Sequence, residues 1–246
     1  MKNKICISHK EDVDGISSAA LIKTAFDVNT VILVDYANML NTLRSMVSSR
    51  YESNIKIDNL FICDLGLSKK NENEFVDILK ELIETKCQVT YIDHHDLDKK
   101  ILSDLKNIGV KLMHGTGECT SIHIYHKYKR KLSPHSAFIA AAAAMTDYLE
   151  TRPIASNLVS RFDRQFLMLE ATTLSYMISS SQHDYDFLIT IVDDLSQGKY
   201  PHDIEGGFLK AEKHGKKVLS VVTNIENSIN LKNNLAYVQI NSELPS

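Results

Sequence analysis

Five short apolar runs rich in β-branched residues recur along the first half of the chain, with helix-length segments between them. The runs are Ile5–Ser8, Val31–Asp35, Leu60–Asp64, Gln88–Asp93 and Val110–His114. The intervening segments Gly15–Asp27, Asn38–Ser49, Asn71–Thr85 and Asp98–Asn107 carry helical periodicity. Strands alternating with helices of this length bury their apolar faces by building βα units on a parallel sheet. The expected class is therefore α/β, a parallel sheet of about five strands with helices on both faces. From Gly117 onward the pattern is mostly helical, through Glu118–Arg130, His135–Glu150, Asn157–Arg164, Gln165–Ser179, Tyr185–Ser196 and Ile204–Glu226. The alanine-rich stretch Ala137–Ala144 has high helix propensity, and its small side chains allow close packing.

Composition narrows the function. The 246 residues hold 9 Gly and 4 Pro, too few for a turn-dense β-sandwich. Lys plus Arg number 28 against 31 Asp plus Glu, a net charge of −3, so the chain as a whole has no nucleic-acid footprint. An anionic substrate must be held locally, by a metal or a small basic patch. Cys6, Cys63, Cys87 and Cys119 form no CxxC pair, which argues against a zinc ribbon or redox motif, and the three that lie in or beside apolar runs read as buried thiols. The start of the chain lacks a signal-peptide pattern, and the longest uncharged apolar run, Ala137–Met145, is far too short to span a bilayer. A cytoplasmic protein without membrane contact is expected. The pattern breaks near Ser180–Asp184, which suggests residues 1–182 as one unit and 183–246 as a helical linker with a terminal strand, Leu235–Ile240. That strand either joins the edge of the first sheet or opens a second domain.

Acidic and imidazole residues gather at the ends of three runs. His9-Lys10-Glu11-Asp12-Val13-Asp14-Gly15 follows the first, Asp64 closes the third, and Asp93-His94-His95 closes the fourth. Asp147 ends the alanine-rich helix. In an open α/β sheet the carboxyl ends of the strands form the ligand crevice, so the three clusters are expected along one edge. Carboxylates with imidazoles and no thiolate pair suit Mn²⁺, Fe²⁺, Co²⁺ or Zn²⁺ in a reactive rather than structural role. Asp12 and Asp14 on one tight turn can reach two different ions, and the two oxygens of Asp64 can bridge them. Two ions about 3.5–4 Å apart clamp a phosphoryl group and acidify bound water.

Asp93-His94-His95 after an apolar strand resembles the defining motif of the DHH phosphoesterase superfamily. His9 with Asp12-Val13-Asp14-Gly15 and Ser17–Leu21 resembles its first motif, Phe61–Gly66 its second, and the alanine-rich helix with Asp147 its fourth. The resemblance covers roughly residues 5–150, with four motifs in order. It implies two Mn²⁺ ions, with Mg²⁺ or Co²⁺ as substitutes. His9, Asp12 and Asp64 would hold one; Asp14, Asp64, His94 and Asp147 the other. His95 would face the scissile phosphate as stabiliser or proton donor, and Asp93 would orient a histidine. Lys10 and Glu11 separate His9 from Asp12, a spacing that varies in the superfamily and makes Glu11 a substitute donor. Many members add a C-terminal substrate-binding domain with a GGGH motif. Gly206-Gly207-Phe208 is not that motif, so a catalytic domain with linker, truncated or naturally reduced, is expected.

The activity implied is Mn²⁺-dependent hydrolysis of phosphodiester or phosphomonoester bonds in nucleotides or short single-stranded nucleic acid. RecJ-like exonucleases, oligoribonucleases, cyclic-dinucleotide phosphodiesterases, pyrophosphatases and exopolyphosphatases share this core. The other class to weigh is an inert RecJ-like scaffold, which is marked by lost ligands; here all the motif positions are filled. Asp-Val-Asp-Gly also occurs in haloacid-dehalogenase-type phosphatases and calcium loops. The former needs its Asp directly after the strand, and the latter an acid at loop position twelve, where this chain has Lys23. His123 with His126, the basic run Lys127–Lys131, the lysines of Lys210–Lys217 and the pair Asp193-Asp194 read as solvated helix faces or ends.

Overall fold

A computed structural model describes residues 2–53, 56–232 and 235–237. Its first half alternates β1 (Lys4–His9), α1 (Val13–Phe26), β2 (Thr30–Val34), α2 (Met39–Ser53), β3 (Asn59–Cys63), α3 (Glu72–Glu84), β4 (Gln88–Asp93), α4 (Lys99–Asn107) and β5 (Lys111–His114). All five strands are parallel, in the order β2-β1-β3-β4-β5. The chain first winds outward from β1 to β2, then crosses back to β3 and continues the other way. When every crossover keeps one hand, this reversal puts α1 on one face and the following helices on the other. A crevice therefore opens at the carboxyl ends of β1 and β3.

Strand residues divide with period two between two cores. Cys6, Phe61, Cys63 and Ile92 face the core that contains α1. Ile5, Ile7, Leu60, Ile62, Val89 and Tyr91 face the core of α2, α3 and α4. The register pairs His9 with Val34, Ser8 with Cys63, and Cys63 with Ile92, so the strand ends are level to within a residue. Motifs far apart in sequence thus end side by side.

The second half is helical: α5 (Thr120–Tyr128), α6 (Ser136–Thr146), α7 (Pro153–Val159), α8 (Arg164–Ser180), α9 (Tyr185–Ser196) and α10 (Gly207–Ser228). α6 is buried on all sides; Ala140, Ala141, Ala143 and Ala144 are wholly inaccessible. It packs against α1, α5, α7 and α8. Its alanines are what let four helices approach one another at this point.

Two expectations are corrected here. The helix expected at Asn157–Arg164 starts earlier, because Pro153 opens it and Glu118 accepts the Ile154 and Ala155 N–H groups at 2.6 and 3.1 Å. Asp163 instead caps α8 through the Phe166 N–H at 2.8 Å. Of the expected strand Leu235–Ile240, residues 238–240 lie outside the described residues. The described part, β7 (Leu235–Tyr237), pairs antiparallel with β6 (Asn230–Lys232) rather than with the edge of the large sheet. Pairing with the adjacent β6 satisfies backbone groups of β7 without its crossing the molecule.

The packing of α6 gives a stability prediction. Ala141→Leu inserts a branched side chain where four helices meet. It is expected to cost about 1–3 kcal/mol, read as a lower denaturation midpoint at unchanged m-value in urea unfolding, whereas a leucine at exposed Lys213 on α10 leaves the midpoint near that of the parent.

Candidate metal centre

The turn after β1 is built by three short interactions. Asp12 caps α1 and accepts the Gly15 N–H at 2.8 Å. The Ser8 hydroxyl donates to the Gly15 carbonyl at 2.6 Å and approaches that of Cys63 at 3.3 Å, tying the turn to β1 and β3. A Cβ on Gly15 would lie 2.3 Å from the His9 carbonyl oxygen, so only glycine fits. Asp14 in the first turn of α1 is fully buried. Its two oxygens accept the N–H groups of Thr120 and Ser121, each at 2.8 Å. One carboxylate therefore sits at the N-terminal ends of both α1 and α5, where the helix dipoles favour negative charge.

Asp64 follows β3 in a left-handed conformation, φ +56°, which Asp tolerates better than most residues. Its N–H donates to the Ile92 carbonyl at 3.0 Å, and its carboxylate accepts the Thr120 hydroxyl at 3.0 Å. Burial raises the Asp64 carboxyl well above its usual pKa, and Asp14, Asp12, Asp93 and Asp147 raise it further.

At the end of β4, Asp93 is buried and accepts twice from His95: from Nδ1 at 2.9 Å and from the backbone N–H at 3.1 Å. This hydrogen bond to Asp93 raises the His95 pKa, against burial. Because a carboxylate only accepts, the proton of a neutral His95 ring belongs on Nδ1. His114 Nε2 donates to the His95 carbonyl at 2.6 Å. His94 Nε2 lies 3.4 Å from Asp147, 3.5 Å from Asp64 and 3.9 Å from Asp14, and burial lowers its pKa. On the opposite side of the turn, His9 Nε2 lies 3.5 Å from Asp12 and 3.8 Å from Glu11.

Asp147 is the C-cap of α6. A negative charge there opposes the helix dipole. Its carboxyl is pushed up to about 8, by burial first and then by Asp14 and Asp12. Its Oδ2 is buried without a hydrogen-bond partner, as is His9 Nδ1. Among the described residues, no lysine or arginine pairs with Asp12, Asp14, Asp64, Asp93 or Asp147. Two trios bring ligand atoms within 4.8 Å of one another: Asp64, His94 and His95, and Asp14, Cys119 and Asp147. Two buried atoms without a hydrogen-bond partner, crowded carboxylates and, among the described residues, no Lys or Arg paired with them make a set that fits divalent cations.

All the residues singled out at the strand ends therefore meet along one edge. Cys119 is buried and stands beside Asp14 and Asp147. Tyr36, just past β2, stacks on His9 with centroids 4.4 Å apart. No motif marks Tyr36; the level strand ends alone bring it here. Of the other candidates, His123 Nε2 is engaged by the Gly115 carbonyl at 2.7 Å, and His126 lines a separate cavity with Lys129 and Arg161. Asp193 and Asp194 are not a solvated helix end. Asp193 pairs with Lys23 of α1, because α9 packs directly on α1, and Asp194, 9% exposed, pairs with Lys199 just past the end of α9.

The charge crowding predicts a pH dependence. The folded chain holds the Asp147 proton up to about pH 8, whereas an unfolded chain releases it near pH 4. Between these values the folded state binds more protons, so metal-free stability falls as pH rises. Melting curves from pH 5 to 8.5 are expected to show this fall, and Mn²⁺ to reverse it at the alkaline end. Asp64→Asn is expected to melt higher than the parent at pH 8 without metal and to gain less from Mn²⁺. A parent melting point that rises with pH over this window contradicts the arrangement.

No family model and no curated protein matches the sequence. Solved structures do match the fold. An uncharacterized protein from Helicobacter pylori G27 superposes with a TM-score of 0.53 at 14% identity, over 88% of this chain and 62% of that one. A pGpG-specific phosphodiesterase, PggH from Vibrio cholerae, superposes with a TM-score of 0.55 at 11% identity, over 95% of this chain and 67% of that one. This chain thus spans about two thirds of the length of either protein, and at these identities the likeness is one of fold.

Proposed function

We propose that the protein is a DHH-type, metal-dependent phosphoesterase acting on nucleotides or short single-stranded nucleic acid. The observation that carries this reading is the convergence of His9, Asp12, Asp14, Asp64, His94 and Asp147 at the β1/β3 crevice with no Lys or Arg, among the described residues, paired with these carboxylates. The fold shared with a pGpG-specific phosphodiesterase supports a small nucleotide as substrate. The division into a catalytic unit, residues 1–182, and a linker, residues 183–246, and a cytoplasmic location belong to the same proposal.

His9, Asp12 and Asp64 would hold one ion, and Asp14, Asp64, His94 and Asp147 the other, with Asp64 shared. Mn²⁺ is the expected metal, Mg²⁺ and Co²⁺ its substitutes. Bound there, divalent ions supply positive charge to phosphoryl oxygens and acidify water. The chain does the rest. The N–H groups of Thr120 and Ser121 fix both oxygens of Asp14. The Thr120 hydroxyl fixes one oxygen of Asp64. Asp93 holds His95 through Nδ1, which leaves Nε2 for the substrate side, where it stabilises developing charge or gives a proton to the leaving oxygen.

Turnover with Mn²⁺ on a panel tests this: pGpG, a cyclic dinucleotide, short RNA, single-stranded DNA, adenosine 3′,5′-bisphosphate and pyrophosphate. One nucleotide class is expected to turn over. Asp64→Ala is expected to abolish it, and His95→Ala to lower kcat by about a hundredfold or more. Turnover of pyrophosphate alone moves the assignment to a pyrophosphatase-type hydrolase. Failure on every substrate with manganese bound overturns the enzyme reading in favour of a scaffold.

A further inference from the structure

The second half of the His95 ring is held by a residue outside every motif. Nδ1 is engaged by Asp93 at 2.9 Å, and Nε2 lies 3.2 Å from the Tyr36 hydroxyl. The Tyr36 ring meets His95 edge-on, with centroids 6.0 Å apart at 87°, and stacks on His9 at 4.4 Å. Behind His95 lies Gly66, where a Cβ would come within 2.8 Å of the imidazole Cγ. The His94 ring flanks it at 4.5 Å. His95 is thus fixed at both nitrogens and on its faces, while Tyr36 itself is 40% exposed at the mouth of the crevice.

We propose that Tyr36 is the positioning residue for His95: its hydroxyl holds Nε2 aimed into the crevice and yields that bond to a phosphoryl oxygen of the entering substrate. This rests on the phosphoesterase reading for the substrate, but the geometry of the pair stands apart from it. The bond survives either charge state of the ring. A neutral ring accepts the Tyr36 O–H at Nε2, and an imidazolium donates Nε2–H to the Tyr36 oxygen. Rotation of the imidazole is therefore restricted before substrate arrives. Pre-setting a reacting group in this way lowers the cost of reaching the reactive geometry. The stack on His9 gives Tyr36 its own fixed place, so the hydroxyl is not a freely rotating surface group. Tyr36 also links the two sides of the crevice, one ring touching the β1 histidine and the β4 histidine together.

Tyr36→Phe separates hydroxyl from ring, since it keeps the stack on His9 and removes only the bond to Nε2. Two readouts are needed. In ¹⁵N-histidine NMR of the Mg²⁺-supplemented chain, the His95 Nε2 resonance is expected to move in the variant while the Nδ1 resonance, set by Asp93, stays. In steady-state kinetics on whichever panel substrate turns over, kcat is expected to fall about tenfold with KM within about twofold. The melting temperature is expected to stay near the parent's, because the ring is retained. An unmoved Nε2 resonance overturns the proposal, as does a kcat equal to the parent's. A parent that turns over nothing defeats the phosphoesterase reading instead; the Nε2 resonance then decides by itself whether Tyr36 positions His95.

Discussion

The carboxylate of Asp14 joins the two halves of this protein. It leaves the first turn of α1, directly after the first strand, and is taken up by the first two N–H groups of α5, which begins the helical half. The Ser121 hydroxyl returns the link by donating to the Asp14 backbone carbonyl at 3.1 Å, and Ser18 meets Ser121 at 3.1 Å. A fully buried carboxylate is costly unless its lone pairs are used. Here the N-terminus of α5 uses them, and the position of α5 against the sheet is set by the same bonds that aim Asp14 into the crevice.

That arrangement tolerates one buried charge; the edge contains several. Asp64 and Asp147 both have raised pKa values because burial and their acidic neighbours disfavour ionisation. Structural carboxylates normally acquire a lysine or arginine, as Asp193 does with Lys23 and Asp184 with Lys210 on the outer surface of the molecule. Those acids outside the crevice are paired with Lys, whereas among the described residues those in it are met by histidines and by backbone N–H or hydroxyl groups. The left-handed backbone of Asp64 and the excluded Cβ at Gly15 belong to the same picture, since local backbone constraint is concentrated where side chains converge.

The helical half closes the crevice from one side, and the small residues of α6 make this possible. Because Ala140–Ala144 occupy so little volume, α6 can lie among four neighbouring helices and deliver Asp147 from its C-terminal end to within 3.4 Å of His94. Larger side chains there would move that end away from the sheet. Glu118 serves the same side by capping α7, which lies against α6.

Much of this is written in the chain. Apolar runs with period two between helical segments dictate a parallel α/β sheet, and polar residues directly after those runs must then lie at its carboxyl edge. The placement of His9, Asp12, Asp14, Asp64, Asp93, His94, His95 and Asp147 at that edge is legible for this reason, since each stands at or next to an element boundary. What the sequence leaves open depends on contacts between elements distant along the chain. Nothing local to Asp193 announces Lys23, 170 residues away, and nothing local to Tyr36 announces His95. Nor does local pattern show that Pro153 and the Glu118 carboxylate would start a helix four residues before the expected one. Local periodicity records which face of an element is buried; strand order, register and helix packing decide which buried groups meet, and only the folded chain holds that information.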